Sequence, residues 1–227
     1  MGIAAHKALV PAVAGQGTLE RLLGQLGHLP AHRVTVVTGY RHEDVERLVR
    51  GRFPGARCVH NSRYESTEML QSLGCALAPE LPGLRDCWVL LADTVYSDAA
   101  LAALFAAEPG GVAMAVTARA GVGDGEIPVE VRDGAVLAVA DAARASAWRM
   151  AHAVRWPPQL RTRLREAAEA GMRYQWQLIA ALLREETTER AFSIRAIMLP
   201  LDGAHDIDTL DDLARATSNA RPRAEPA

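Results

Sequence analysis

Cys87-Trp88-Val89-Leu90-Leu91-Ala92-Asp93 is a run of six apolar residues closed by an acid. A run this short, without a helical stripe, reads as a buried strand whose last residue is a carboxylate. Working outward, strands and helices alternate on both sides of it. Upstream, residues 18–26 carry apolar side chains at 19, 22, 23 and 26, one face of a helix. Residues 33–40 are a β-branched run ending at Gly39-Tyr40, a buried strand. Residues 43–49 read as a helix with Val45, Leu48 and Val49 inward, 57–61 as a short strand, and 68–78 as a helix. Downstream come a helix at 98–107 and a strand at 112–117. A hairpin follows at 127–131 and 135–139, turned by Asp133-Gly134. Helices at 159–169 and 174–184 and a strand at 191–199 complete the pattern. Such alternation predicts an α/β protein, a three-layer α/β/α sandwich around a mainly parallel mixed sheet. Ligands in such sheets sit beyond the carboxyl ends of the strands, where Asp93 falls.

Bulk properties narrow the function. With 227 residues the chain has room for one domain, expected over residues 1–217, with a short polar tail at 218–227 expected to be disordered. The formal net charge of −2 offers no basic surface for nucleic acid. Cys58, Cys75 and Cys87 are odd in number and lack CxxC spacing, so they read as buried small apolar residues rather than metal ligands or disulfides. No apolar run reaches the length of a membrane span and no signal-peptide pattern opens the chain, so a soluble cytoplasmic protein is expected. Nothing in the sequence decides whether it forms a homo-oligomer.

Four segments carry chemistry. Lys7 is the one lysine among 25 basic residues. An ammonium is a compact, flexible point charge that can follow a phosphate where a planar guanidinium cannot. Asp93 is either a turn cap ahead of Ser97-Asp98 or a ligand in the crevice. In Asn61-Ser62-Arg63-Tyr64-Glu65-Ser66-Thr67-Glu68-Met69-Leu70-Gln71-Ser72, Ser66 or Thr67 is placed to cap a helix. In Asp206-Ile207-Asp208, residues two apart on a strand share a face, while Thr209 and Asp211-Asp212 suit the start of a helix. Trp148, Trp156, Tyr174 and Trp176 either pack the helices on the sheet or line a pocket for a cationic ligand through cation–π contacts. Arg149, His152 and Arg155 either meet the anionic end of such a ligand or form a solvated face.

Taken in order, Lys7-Ala8-Leu9-Val10-Pro11, the Asn61…Tyr64…Thr67-Glu68-Met69…Ser72-Leu73 stretch, Ala92-Asp93-Thr94-Val95-Tyr96 and Asp206-Ile207-Asp208 resemble the nucleotidyltransferase superfamily, most nearly its phosphocholine and phosphonate cytidylyltransferases. The resemblance runs from about Lys7 to Ala216. It implies a Rossmann-like nucleotidyltransferase fold and a Mg²⁺-dependent transfer of a nucleoside monophosphate, CMP from CTP above all, to a small phosphate or phosphonate. Lys7, Asp93 and Asp208 become the implied catalytic residues, and Asp93, Asp206 and Asp208 the implied metal ligands. Asn61, Thr67 and Ser72, with Trp148, Trp156 and Trp176, become the implied nucleotide and acceptor contacts. Three departures stand out. Glu68 replaces the family's Asn, Asp206 replaces its Glu, and no lysine follows the hairpin at Asp141-Ala142. The family also opens with a strand and a Gly-rich loop that six residues before Lys7 are too short to supply. The sheet is therefore expected to lack that first strand and loop, and the chain alone to be poorly stable. A sugar- or inositol-phosphate nucleotidyltransferase and a non-catalytic relative remain the alternatives.

Overall fold

The computed structural model describes residues 7–13, 15–77, 86–108, 110–119, 126–185, 193–209 and 211–214; the tail expected to be disordered lies outside them. The strands are β1 Pro11–Val13, β2 Gln16–Gly17, β3 Thr35–Thr38, β4 Arg57–His60, β5 Cys87–Leu90, β6 Thr94–Tyr96, β7 Val112–Ala118, β8 Val129–Arg132, β9 Ala135–Val139, β10 Trp148–Trp156, β11 Ile194–Met198 and β12 Ala204–Asp206. The helices are α1 Thr18–Gln25, α2 His42–Arg52, α3 Met69–Ala76, α4 Asp98–Ala106, α5 Arg161–Glu169 and α6 Gln175–Glu185.

The main sheet has six strands in the order β5-β10-β7-β11-β9-β8. Four of them, β5, β7, β11 and β8, point one way, but β10 and β9 run against them between their neighbours. Among the described residues, β7 and β11 are therefore its one parallel pair. The sheet is mixed, as expected, with four strands pointing one way, and most of its ladders are antiparallel because β10 and β9 lie between them. Alternation of elements fixes chain direction across helical crossovers, whereas the reversal at β9 comes from the hairpin. There Asp133 and Gly134 both take positive φ, as a two-residue primed turn requires.

Side chains on the two faces of this sheet build two cores. Val112, Met114 and Val116 of β7 face α3, α5 and α6, with Leu70, Leu164, Leu178 and Ile179 filling the space. Ala115 of β7 and Ala151 and Ala153 of β10 face α1 and α4 through Leu22, Leu26, Leu101 and Leu104. Alanines on the second face let helices approach closely, and the result is the expected three layers. Burying the apolar stripe of α1 needs all four predicted positions, and Leu19, Leu22, Leu23 and Leu26 are all buried.

β3 and β4 form a parallel two-stranded sheet of their own. Among the described residues each has one neighbour, and β3 is half-buried rather than buried as its β-branched run predicts. β5 likewise has one neighbour among the described residues and is half-buried along its length. The three cysteines are free and half-buried; burial raises the Cys87 thiol to about 11, leaving it protonated and inert.

Candidate active site

Asp93 does not end β5 directly. The strand stops at Leu90, and Asp93 sits in the turn that leads into β6. Two segments far away in sequence are brought to that turn. β12 pairs with β6, setting Asp206 opposite Thr94, and the Ile207 amide donates to the Asp93 carbonyl at 3.1 Å. The start of the chain arrives through Thr18, whose hydroxyl donates to the Ala92 carbonyl at 2.6 Å and to the Ala8 carbonyl at 3.3 Å. One side chain thus ties the neighbour of Lys7 to the neighbour of Asp93. Gly17 permits the approach, because a Cβ there would sit 2.9 Å from the Ala8 carbonyl oxygen.

The result is a cluster of three carboxylates and one ammonium. Lys7 Nζ donates to Asp208 Oδ1 at 2.5 Å, with both side chains about half exposed. Asp206 Oδ1 accepts from the Thr94 hydroxyl at 3.0 Å, and its Oδ2 lies 3.5 Å from His152 Nε2. The bond to Asp208 raises the Lys7 pKa, and Asp93 and Asp206 add to it, so the ammonium is charged at neutral pH. Burial, and then the charge of Asp206, hold the Asp93 carboxyl above its ordinary value. The site therefore carries more negative charge than its own groups neutralise. Among the described residues no three His, Cys, Asp or Glu side chains form a ready-made metal cage. Asp206 and Asp208 do not share the face of one strand, since β12 ends at Asp206. Asp208 lies beyond it, where Asp212 accepts from the amides of Asp208 and Thr209 at the start of the next helical turns.

A second group of predicted residues also comes together. Asn61 is buried after β4, and its side-chain amide donates to Thr67 Oγ1 at 2.7 Å and to Ser72 Oγ at 3.0 Å. Its Oδ1 accepts from the Arg63 amide at 3.0 Å. The three residues brace one another and hold the loop before α3. The helix cap is neither Ser66 nor Thr67 but Glu68, whose amide donates to the Gln71 side chain at 2.8 Å in a capping box. Glu68 also pairs with Arg173 at 3.3 Å, which balances the acid that departs from the family pattern.

The tryptophans do not form one pocket. Trp156 is 1% exposed in the core beside α5 and α6, and its indole N–H donates to Gln175 Oε1 at 2.5 Å. It lies opposite Cys87, the start of β5, at the end of the sheet away from Asp93. Trp148 lies at the other end of β10, opposite Ala118; seven residues lie between the two, and the register with β7 sets them about six strand steps apart, roughly 20 Å. Trp156 is therefore a packing residue. Apolar bulk on a strand is the same signal whether it meets a helix or a ligand. Trp148 and Trp176 are half-buried; Trp176 packs against the same core as Trp156 and stacks against Tyr174 with centroids 6.4 Å apart. Arg155 is buried too, donating to the Ala107 and Gly110 carbonyls and lying over the Trp88 ring. Arg149 pairs with Glu126, which also holds Arg119. Thr18 and Thr94 went unnoticed in the sequence, since a threonine that bonds a distant carbonyl or carboxylate has no local signature.

Several solved structures share this architecture. The CTP:phosphocholine cytidylyltransferase of Streptococcus pneumoniae aligns over 94% of this chain and 89% of its own, with a TM-score of 0.73 and 17% identity. The inositol-1-phosphate CTP transferase of T. maritima aligns over 96% and 89%, with a TM-score of 0.67 and 12% identity. A candidate glucose-1-phosphate thymidylyltransferase of Bacillus anthracis, solved with sucrose, aligns over 97% and 89%, with a TM-score of 0.72 and 16% identity. These likenesses establish the fold. No curated protein sequence matches the chain. Residues 1–187 match the MobA-like NTP transferase domain, and the protein belongs to that family of nucleotidyltransferases.

Proposed function

We propose that the protein transfers CMP from CTP to a small phosphate or phosphonate acceptor, such as phosphocholine or an aminoalkyl phosphonate, and releases pyrophosphate. The observation that carries the reading is the meeting of Lys7, Asp93, Asp206 and Asp208 at one turn beyond β5, drawn from three remote segments. Three carboxylates set against one ammonium suit a divalent cation that arrives with substrate phosphates. Mg²⁺ in particular binds through one or two carboxylates and keeps its other positions for phosphate and water. Asp93 and Asp208 would hold it, with Asp206 beside them. When bound, the ion would neutralise charge on the α-phosphate.

The chain's own groups mostly position the reactants. In the reaction, an acceptor oxygen forms a bond to the α-phosphorus of CTP while the bond to pyrophosphate breaks. A phosphate monoester is largely ionised at neutral pH, its second pKa being about 6, so its attacking oxygen needs no general base. Lys7 exchanges its bond to Asp208 for the phosphates and stabilises their charge. The Asn61–Thr67–Ser72 brace supports the wall of the nucleotide site, and of the three tryptophans Trp148 remains for the acceptor, since Trp176 packs against the same core as Trp156. With Trp156 in the core, the aromatic share of the acceptor site is smaller than three tryptophans. That observation favours, as the second reading, a sugar- or inositol-phosphate acceptor.

Pyrophosphate release by the 227-residue chain with Mg²⁺ tests both. Each of the four NTPs is paired with phosphocholine, 2-aminoethylphosphonate, glucose 1-phosphate or inositol 1-phosphate. Release with CTP and one of the two amino-bearing acceptors supports the first reading. Release with a sugar or inositol phosphate only selects the second, and silence with all pairings overturns both.

A further inference from the structure

We propose that His152 is a positioning residue that orients the Asp206 carboxylate at the cation site, an inference that rests on the reading of the acid cluster above. Strand alternation does not account for where its side chain goes. Met150 and Val154 of β10 both point into the core beside α3, α5 and α6, so the residue midway between them belongs by period two to that same face. The ladder with β7 breaks between Met150 and Val154, and His152 has φ +53° within the strand. The ring is found instead 3.5 Å from Asp206 Oδ2, across from the Thr94 hydroxyl on Oδ1.

The break is anchored. Tyr96 is fully enclosed; its hydroxyl donates to the His152 carbonyl at 3.1 Å and accepts from the Leu91 amide at 3.3 Å. One phenol therefore links the turn at His152 to the segment that leads to Asp93. A left-handed backbone is one that glycine adopts without strain and a side chain with a Cβ does not. For the fold alone, glycine would serve at 152. A histidine at such a point is explained by what its ring does, and outliers of this kind gather at sites of function. With the Thr94 hydroxyl on Oδ1 and the imidazole beside Oδ2, Asp206 keeps lone pairs free for a cation, and an imidazole N–H that closes on a ligating carboxylate sets its direction.

The test uses the full chain with Mn²⁺ alone as probe, the free ion being read by its paramagnetic resonance, alongside thermal melting. Asp206→Ala reports whether the cluster binds the ion. His152→Gly is expected to bind Mn²⁺ about tenfold or more weakly while melting at or above the parent temperature. His152→Gln, which restores an N–H at a similar reach, is expected to recover most of the affinity. Parental binding by His152→Gly, with Asp206→Ala weakened, overturns the role of His152 and leaves the cluster intact. Parental binding by Asp206→Ala, or no binding by the parent, overturns the cluster reading and this inference with it. A lower melting temperature in His152→Gly without recovery in His152→Gln assigns the residue to the fold and overturns the proposal.

Discussion

Strand β10 carries Trp156 at one end and His152 near its middle, and the two meet opposite kinds of surroundings. Trp156 is enclosed by aliphatic side chains, its one polar atom is satisfied by Gln175, and its backbone is an ordinary strand. His152 sits on a left-handed residue at a break in register, beside a carboxylate that belongs to a group repelling itself. At the tryptophan every local preference agrees with the fold. At the histidine and the acids, local preferences are overridden by tertiary contacts. Conflict of that kind marks a site that stability alone does not explain. Large aromatic residues drew attention in the sequence, yet the residues that fit the proposed chemistry are small, charged and scattered.

Four measurements break or sharpen this contrast. The largest effect is expected at Trp156. Trp156→Ala should lower unfolding free energy by about 3–5 kcal/mol in denaturant titration, while the folded fraction keeps its activity. A mild loss of stability with loss of acceptor binding would return Trp156 to the site. Next, Lys7→Met should cut turnover by about a hundredfold or more with little change in the melt, as Lys7 is half exposed.

Asp93→Asn should also abolish turnover, but it should raise the melting temperature by a few degrees at pH 7. The sign follows from the direction of the shift. Because the folded-state pKa of Asp93 is raised, the folded protein holds that proton more tightly than the unfolded chain does. Stability therefore falls as pH rises from the ordinary carboxyl value, about 3.9, through the folded value, and the full penalty applies above it. The advantage of Asp93→Asn should be greatest at neutral pH and vanish in acid. A lower melting temperature at pH 7 would show that the acids are not in conflict. The smallest effect is expected for Glu68→Gln, which loses an exposed pair with Arg173 and should change stability by about 1 kcal/mol or less.

Much of this was legible in the chain. The helical stripe of α1 predicted its buried face residue by residue, and Asp133-Gly134 located the hairpin and its turn. The order of Lys7, Asn61, Asp93 and Asp208 pointed to the family that the domain match establishes. These are local or ordered properties, set by side-chain period, turn chemistry and spacing. Others were decided only by tertiary structure. β10 inserts between β5 and β7 and makes the ladders antiparallel, which no run of apolar residues encodes. Trp156 went to the core and Glu68 to Arg173 because partners 19 and 105 residues away closed on them. His152 left the face that alternation assigns it: Tyr96 holds its backbone, and its ring lies beside Asp206. Period and propensity describe a chain against its own neighbours, and a site assembled from remote segments depends on contacts that exist only once the layers have packed.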